Sequence, residues 1–319
     1  MTECRRGRRP VAYSRRRAET EHIVNRLTTA AVHCYISLVT SSWPRFPHST
    51  ALWIADHRTL LSQLSSDSTE RAPTVVFVHS ALLDRHAWYP AMHSVADRLS
   101  AAGRSATLAT YDLRGHGAAA AEPIVSIDQL AEDLVTVCRA LDARPVHVVG
   151  LSLGGAVAQA AALTSPAAFS SVVLAGTSAR FPRAVMDERA ARGREGGVAS
   201  QVADTLDRWV SDPGADDKVN GYLRASLART SPARWAEAWE ALGRFDVVDR
   251  LPGLRPPVLA LAGDRDVASP PEALELIATS VPAGTVEHID AAHLSALERP
   301  ADVGDAIARH LLRTWVTPS

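Results

Sequence analysis

Val146-His147-Val148-Val149-Gly150-Leu151-Ser152-Leu153-Gly154-Gly155-Ala156 is the stretch on which the reading of this sequence turns. Its first four residues form a short apolar run that suits a buried strand. The residues from Gly154 to Leu163 are mostly small, as in a helix that lies close against a sheet. Between the two stands a G-x-S-x-G pattern. At a strand-to-helix junction this pattern makes a sharp, strained turn that lifts the serine hydroxyl above the sheet. Gly150 and Gly154 flank the serine because side chains there would collide across the turn, and Gly155, Ala156 and Ala158 allow close helix–sheet approach. Ser152 is therefore the expected nucleophile. The backbone N–H of Leu153, at the start of the helix, is one expected oxyanion donor.

Working outward, short apolar runs alternate with helical periodicity, as in parallel βαβ units. Strands are expected at Thr74–Val78, Ala106–Tyr111, Ser171–Ala175, Val258–Ala262 and Val286–Ile289, with a helix from about Trp88 to Ala102. Ser126-Ile127-Asp128-Gln129 reads as a capping box opening a helix whose stripe is Leu130, Leu134, Val137 and Leu141. A closing helix carries Val303, Ile307 and Leu311 on one face. Between 178 and 245 strand signals vanish and four helices are expected: Ala184–Arg194, Ala199–Val210, Val219–Ala228 and Pro232–Leu242. The fold class expected is α/β, a mostly parallel sheet flanked by helices. Residues 49–177 and 246–319 form its core, and 178–245 a helical lid inserted before the strand that precedes the catalytic acid. Residues 1–48, Arg-rich at first and ending in Trp43-Pro44-Arg45-Phe46-Pro47, are expected to be a disordered extension.

A serine hydroxyl needs a base to take its proton, and the base needs a carboxylate to fix its tautomer. His293, in Ala291-Ala292-His293-Leu294-Ser295, follows the last strand, whereas His288 falls inside it, where the sheet should fix its side chain. Gly263-Asp264-Arg265-Asp266 follows the strand before. Asp266 is the expected acid, three residues past the glycine where the loop can turn back, and Asp264 should order the loop. The second oxyanion donor should come from His79-Ser80-Ala81-Leu82, at the N–H of Ala81. The segment Asp112-Leu113-Arg114-Gly115-His116-Gly117 reads as a structural loop whose ionisable groups pair with one another. No metal-ligand spacing, phosphate loop or dinucleotide fingerprint is present, so neither metal nor cofactor is expected.

Composition narrows the partners. The 319-residue chain carries 34 basic and 35 acidic residues, but seven arginines and one acid fall within residues 1–17, which leaves a net charge of −7 on the remainder. A phosphate-binding body would have the opposite sign, so no nucleic acid is expected. No run reaches the ~18–20 apolar residues that cross a bilayer. Three cysteines at irregular spacing fit a reducing cytoplasm, with Cys138 buried on a helix. Oligomeric state is not legible.

With these residues in view, the chain resembles the α/β-hydrolase superfamily, and within it the 3-oxoadipate enol-lactonase-like group. The motifs are His79-Ser80 then Trp88, Tyr111 to Gly117, Gly150 to Gly155, and Ala292-His293-Leu294-Ser295-Ala296-Leu297-Glu298-Arg299-Pro300. Arg189-Ala190-Ala191-Arg192 through Asp207-Arg208-Trp209-Val210 resembles that group's arginine-bearing lid helix ending in Arg-Trp, and Phe245 to Leu251 its return to the core. The resemblance implies a Ser152, Asp266, His293 triad that opens a small-molecule ester or lactone through an acyl-enzyme, an enol-lactone such as 3-oxoadipate enol-lactone among them. Trp209 would face the pocket or serve as lid core. A dicarboxylate-derived substrate would also require a cation, for which Arg180, Arg183 and Arg208 are candidates. The long N-terminal extension and the His-Ser-Ala-Leu loop, where those lactonases tend towards Asn-Ser-Leu-Gly, depart from the group. A carbon–carbon bond hydrolase of ring-cleavage products, a general carboxylesterase and a cofactor-free perhydrolase would use the same triad. A ligand receptor on this scaffold would keep the pocket without the turnover.

Overall fold

Runs of β-branched residues separated by amphipathic helices assemble into one eight-stranded sheet in the computed structural model, which describes residues 48–54, 56–65, 72–142, 146–215 and 217–315. Apart from His48, the N-terminal extension expected over 1–48 lies outside the described residues. The strands are β1 (His48–Ile54), β2 (His57–Ser65), β3 (Thr74–Val78), β4 (Thr107–Tyr111), β5 (Val146–Leu151), β6 (Ser171–Ala175), β7 (Val258–Gly263) and β8 (Gly284–Ile289). Their spatial order is β1-β2-β4-β3-β5-β6-β7-β8. β1 and β2 pair antiparallel, as do β2 and β4, and every other neighbouring pair is parallel. β3, β5, β6 and β7 are buried along their whole length, as continuous apolar strands covered on both faces should be.

Helices α1 (Tyr89–Ala101), α2 (Ile127–Ala140) and α3 (Leu153–Thr164) connect the first parallel strands. The capping box expected at the start of α2 is half made: Ser126 Oγ accepts from Gln129 N at 3.1 Å, while Gln129 Oε1 reaches one residue further back and accepts from Val125 N at 2.9 Å. Leu130, Leu134 and Val137 are buried as their spacing requires. Four helices lie between β6 and β7: α4 (Arg183–Gly196), α5 (Val202–Trp209), α6 (Lys218–Arg229) and α7 (Pro232–Gly243). α4 packs on α7, with Trp235 Nε1 donating to Arg189 O at 2.7 Å. After β7 come α8 (Pro271–Ser280), α9 (Ser295–Glu298) and α10 (Pro300–Thr314), and α10 lies against α1. Among the described residues no helix is long and apolar enough to cross a membrane.

Three expectations are corrected. The β1–β2 hairpin extends the sheet where the sequence reading resolved no strand, because Leu52 and Trp53 are consecutive apolar residues that break a period of two, and Trp53 is exposed. His288 is not fixed within the sheet: β8 is an edge strand, so this side chain stands exposed with Nδ1 2.9 Å from Asp264 Oδ1. The ionisable groups of the loop after β4 reach outward rather than to each other. Asp112 takes Arg85 Nη1 at 2.7 Å, and Arg114 spans Asp133 at 3.0 Å and Asp56 at 2.7 Å.

Four of the buried histidines are held below their ordinary value. Burial lowers His79 to about 4 and His116 to about 3, the two rings meeting edge to face at 5.1 Å. Burial, reinforced by His310, lowers His147 to about 4, and His310 is itself lowered to about 4 by burial and Arg313. Each folded value lies below the ordinary value of 6.5, so the unfolded chain takes up these protons first as the solution is acidified. Their stabilisation is complete above ~6.5 and is lost as pH falls towards ~4. Urea unfolding across that window should show stability rising with pH, and His147→Gln should reduce the slope near pH 5 by about 1.4 kcal/mol per pH unit. An unchanged slope would mean that His147 is charged in the folded protein.

Candidate active site

The end of β5 turns into α3 through a single residue held in a strained conformation. Ser152 has φ 55° and ψ −114°, a region that non-glycine residues occupy only when the surroundings enforce it. Its N–H donates to Ala175 O at 2.9 Å, and its carbonyl accepts from Thr177 Oγ1 at 2.8 Å. A Cβ at Gly154 would stand 2.1 Å from Val78 O, and one at Gly150 would stand 2.3 Å from Gly154 O. The turn is thus pressed against the end of β3, and only glycine fits on either side.

Two further loops converge on Ser152 Oγ. His293, in the loop after β8, places Nε2 2.9 Å from that oxygen. Its Nδ1 lies 2.8 Å from Oδ2 of Asp266, in the loop after β7. A carboxylate only accepts, so Nδ1 carries the hydrogen towards Asp266 and Nε2 is left to accept from the serine hydroxyl. The second carboxylate oxygen, Oδ1, accepts from Ala268 N and Ser269 N, each at 2.8 Å, which fixes the rotamer of Asp266. All three side chains are nearly sealed, with 6% exposure at Ser152 and 3% at both Asp266 and His293.

Of the expected oxyanion donors, Leu153 directly follows Ser152 and Ala81 lies in the loop after the neighbouring strand β3. Leu153 is the first residue of α3, where an N–H has no acceptor within its own helix. Ala81 is buried in the loop after β3, and β3 is the direct neighbour of β5, with Val78 opposite Gly150. That loop takes a left-handed step at Leu82 (φ 64°) before Asp84, which is tied to α6. Asp84 Oδ1 accepts from Tyr222 OH at 2.8 Å and Oδ2 from Arg229 Nη2 at 2.8 Å. Burial alone would raise this carboxyl, but His86 and Arg229 outweigh it and hold Asp84 well below the usual range.

The residues of the segment between β6 and β7 divide sharply. The Trp209 ring is buried 6.1 Å from the His293 ring, and its carbonyl accepts from Leu294 N at 3.1 Å. Arg180 is not brought to this cluster: it stands in solvent facing Asp246 at 3.7 Å, and Arg183 likewise pairs on the surface with Asp187. Arg208 is half-buried with its Nε enclosed and unpartnered. Arg189, over the face of Trp239 at 5.3 Å, is a residue the sequence reading did not single out as a cation. Burial, reinforced by Arg208 and Arg192, lowers Arg189 to about 10, and burial with Arg192 also lowers Arg208. Among the described residues no group of three or more His, Cys, Asp or Glu could hold a metal ion.

Comparison with known proteins places this geometry among relatives. The sequence pattern of the alpha/beta hydrolase family matches residues 75–306. The 3-oxoadipate enol-lactonase 1 of Acinetobacter baylyi is 30% identical over 256 residues, which cover 79% of this chain and 93% of that protein. A hydrolase from Pseudomonas aeruginosa superposes with a TM-score of 0.73 at 28% identity, over 84% of this chain and 99% of the other. A thermophilic esterase from Thermogutta terrifontis gives 0.72 at 26% identity, over 84% and 100% respectively.

Gly176 joins β6 to the site at φ 47°, and a Cβ there would lie 2.9 Å from His293 O. Gly176→Ala should therefore destabilise the protein by about 1–2 kcal/mol through the left-handed backbone alone. A urea midpoint equal to that of the wild type would show that this loop relaxes freely.

Proposed function

The chain belongs to the alpha/beta hydrolase family, and from that premise we propose that it cleaves a carboxylic ester or lactone through an acyl-enzyme on Ser152. The observation that carries this reading is the unbroken hydrogen-bond line from Ser152 through His293 to Asp266, at 2.9 and 2.8 Å. His293 Nε2 takes the hydroxyl proton as Ser152 Oγ attacks the carbonyl carbon. The N–H groups of Leu153 and Ala81 receive the oxyanion. The imidazolium, held by Asp266, then gives its proton to the leaving oxygen. Water enters and attacks the acyl carbon as His293 takes its proton, and the imidazolium then returns that proton to Ser152 Oγ as the acid is released.

An enol-lactone is the substrate we favour. Its leaving group is an enol that ketonises once the ring opens, which draws the reaction forward. The similarity to 3-oxoadipate enol-lactonase 1 supports this choice, and so do two half-buried guanidiniums, Arg189 and Arg208, suited to a carboxylate on the substrate. The segment 178–245 then acts as a lid, with Trp209 closing over the imidazole and Arg180 outside the pocket. A simple carboxylic ester is the second reading, favoured by the likeness to the Thermogutta esterase.

Ser152→Ala should cut hydrolysis of p-nitrophenyl acetate by at least about 10³-fold while leaving the circular dichroism spectrum intact. Undiminished turnover would sink the acyl-enzyme. Hydrogen bonds to charged groups contribute about 1.5–3 kcal/mol, so Arg208→Gln should lower kcat/KM for an acidic enol-lactone about ten- to a hundredfold and leave p-nitrophenyl acetate within about twofold. Equal losses on both substrates would remove Arg208 from carboxylate recognition.

A further inference from the structure

We infer that Glu298 is a positioning residue that aligns the imidazole of His293 and seats the helical insert in the same act; this rests on the Ser152–His293 chemistry proposed above. Glu298 closes α9, five residues beyond His293. Its Oε2 accepts from the N–H of Ala292, the residue directly before His293, at 2.7 Å. Its Oε1 accepts from the N–H of Ser211 at 2.6 Å, two residues past Trp209 at the end of α5, and Oε2 also meets Ser211 Oγ at 3.3 Å. On the far side of the histidine, Leu294 N donates to Trp209 O at 3.1 Å. The N–H groups of the residues on either side of His293 are thus both tied to one place, the C-terminal end of α5.

The acid loop shares this anchor. Arg265, next to Asp266, donates from Nε to Ser211 Oγ at 3.2 Å and from its backbone N–H to Ala291 O at 2.9 Å. Arg265 and Arg299 both turn their guanidiniums to Asp290, so the oxygens of Glu298 remain with main-chain N–H groups instead of a surface ion pair. Charge-assisted hydrogen bonds of this kind are short and about twice as strong as neutral ones. Only a carboxylate of this length serves both sides: an amide offers one acceptor and sets its NH₂ against the other N–H, and a shorter acid cannot span the gap.

A loop that drifts by about 1 Å at the reacting atoms can cost on the order of 10²-fold in rate, whereas groups that bind substrate equally throughout affect KM. Glu298→Gln and Glu298→Asp should each lower kcat on p-nitrophenyl acetate about ten- to a hundredfold, with KM within about twofold and the rate normalised to folded protein by circular dichroism. A wild-type kcat in both variants, a loss confined to KM, or a folded fraction below about half in both would overturn the assignment, the last because it would mark Glu298 as a residue of the fold alone. Ser152→Ala measured alongside separates the two readings. Undiminished activity there removes the acyl-enzyme itself, while a Ser152→Ala reduced by at least about 10³-fold beside fully active Glu298 variants removes only the role of Glu298.

Discussion

The backbone of Ser152 is held at φ 55° and ψ −114°, a conformation that costs about 1–3 kcal/mol for a residue with a side chain. Nothing local pays that cost. It is imposed by neighbours on both sides in the sheet: β6 supplies the Ala175 carbonyl that takes the Ser152 N–H, and Thr177 just beyond it holds the Ser152 carbonyl. β3 supplies the Val78 carbonyl against which Gly154 is pressed. The strand order β3-β5-β6 is therefore the condition for the elbow, and the elbow presents Ser152 Oγ to His293. A sheet with any other neighbour at β5 would lose both the clamp and the donor loop that follows β3.

From that fixed point the rest of the site is hung on loops, and each loop is braced by the helical insert. The loop after β3 is bound to α6 through the buried Asp84, Tyr222 and Arg229. The loops after β7 and β8 meet the end of α5 through Arg265, Trp209 and Glu298. Strands give placement to within a register step; the bracing supplies the fractions of an ångström that proton transfer requires. The insert is consequently bonded to all three loops that surround Ser152.

Legibility in the sequence followed the range of the interaction. The elbow, Asp266 and His293 could be read because each is a short motif directly after a strand, and strands in a parallel sheet all end on the same rim. Asp112 and Arg114 were read only as members of a loop, since their partners Arg85, Asp133 and Asp56 lie far away in the chain. His288 lies in the last strand as expected, but its exposure was not legible, because a strand's sequence does not say whether it closes the sheet. Arg180, Arg189 and Arg208 are equivalent letters; burial under Trp239 and within the insert separates them, and burial is a property of the packed helices alone. Glu298 was visible within a motif, but its two acceptors become meaningful only when Ser211 and Ala292 are brought together.

A site sealed to this degree also constrains its own charge. In a low-dielectric enclosure every extra positive group would raise the cost of forming an imidazolium at His293 during the proposed reaction. Two buried imidazoles on the β3 and β4 loops, His79 and His116, are driven to about 4 and about 3 by burial, so they stay neutral near pH 7 and add no positive charge. His79 spends its own Nδ1–H on Ser80 O and accepts Leu113 N–H at Nε2, a pairing open only to the neutral ring. Asp266, with one oxygen already held by two backbone N–H groups, keeps the other for the imidazolium alone. His293, with Nδ1 against Asp266 and Nε2 against Ser152, is the enclosed imidazole whose two partners suit it to the proposed proton transfer.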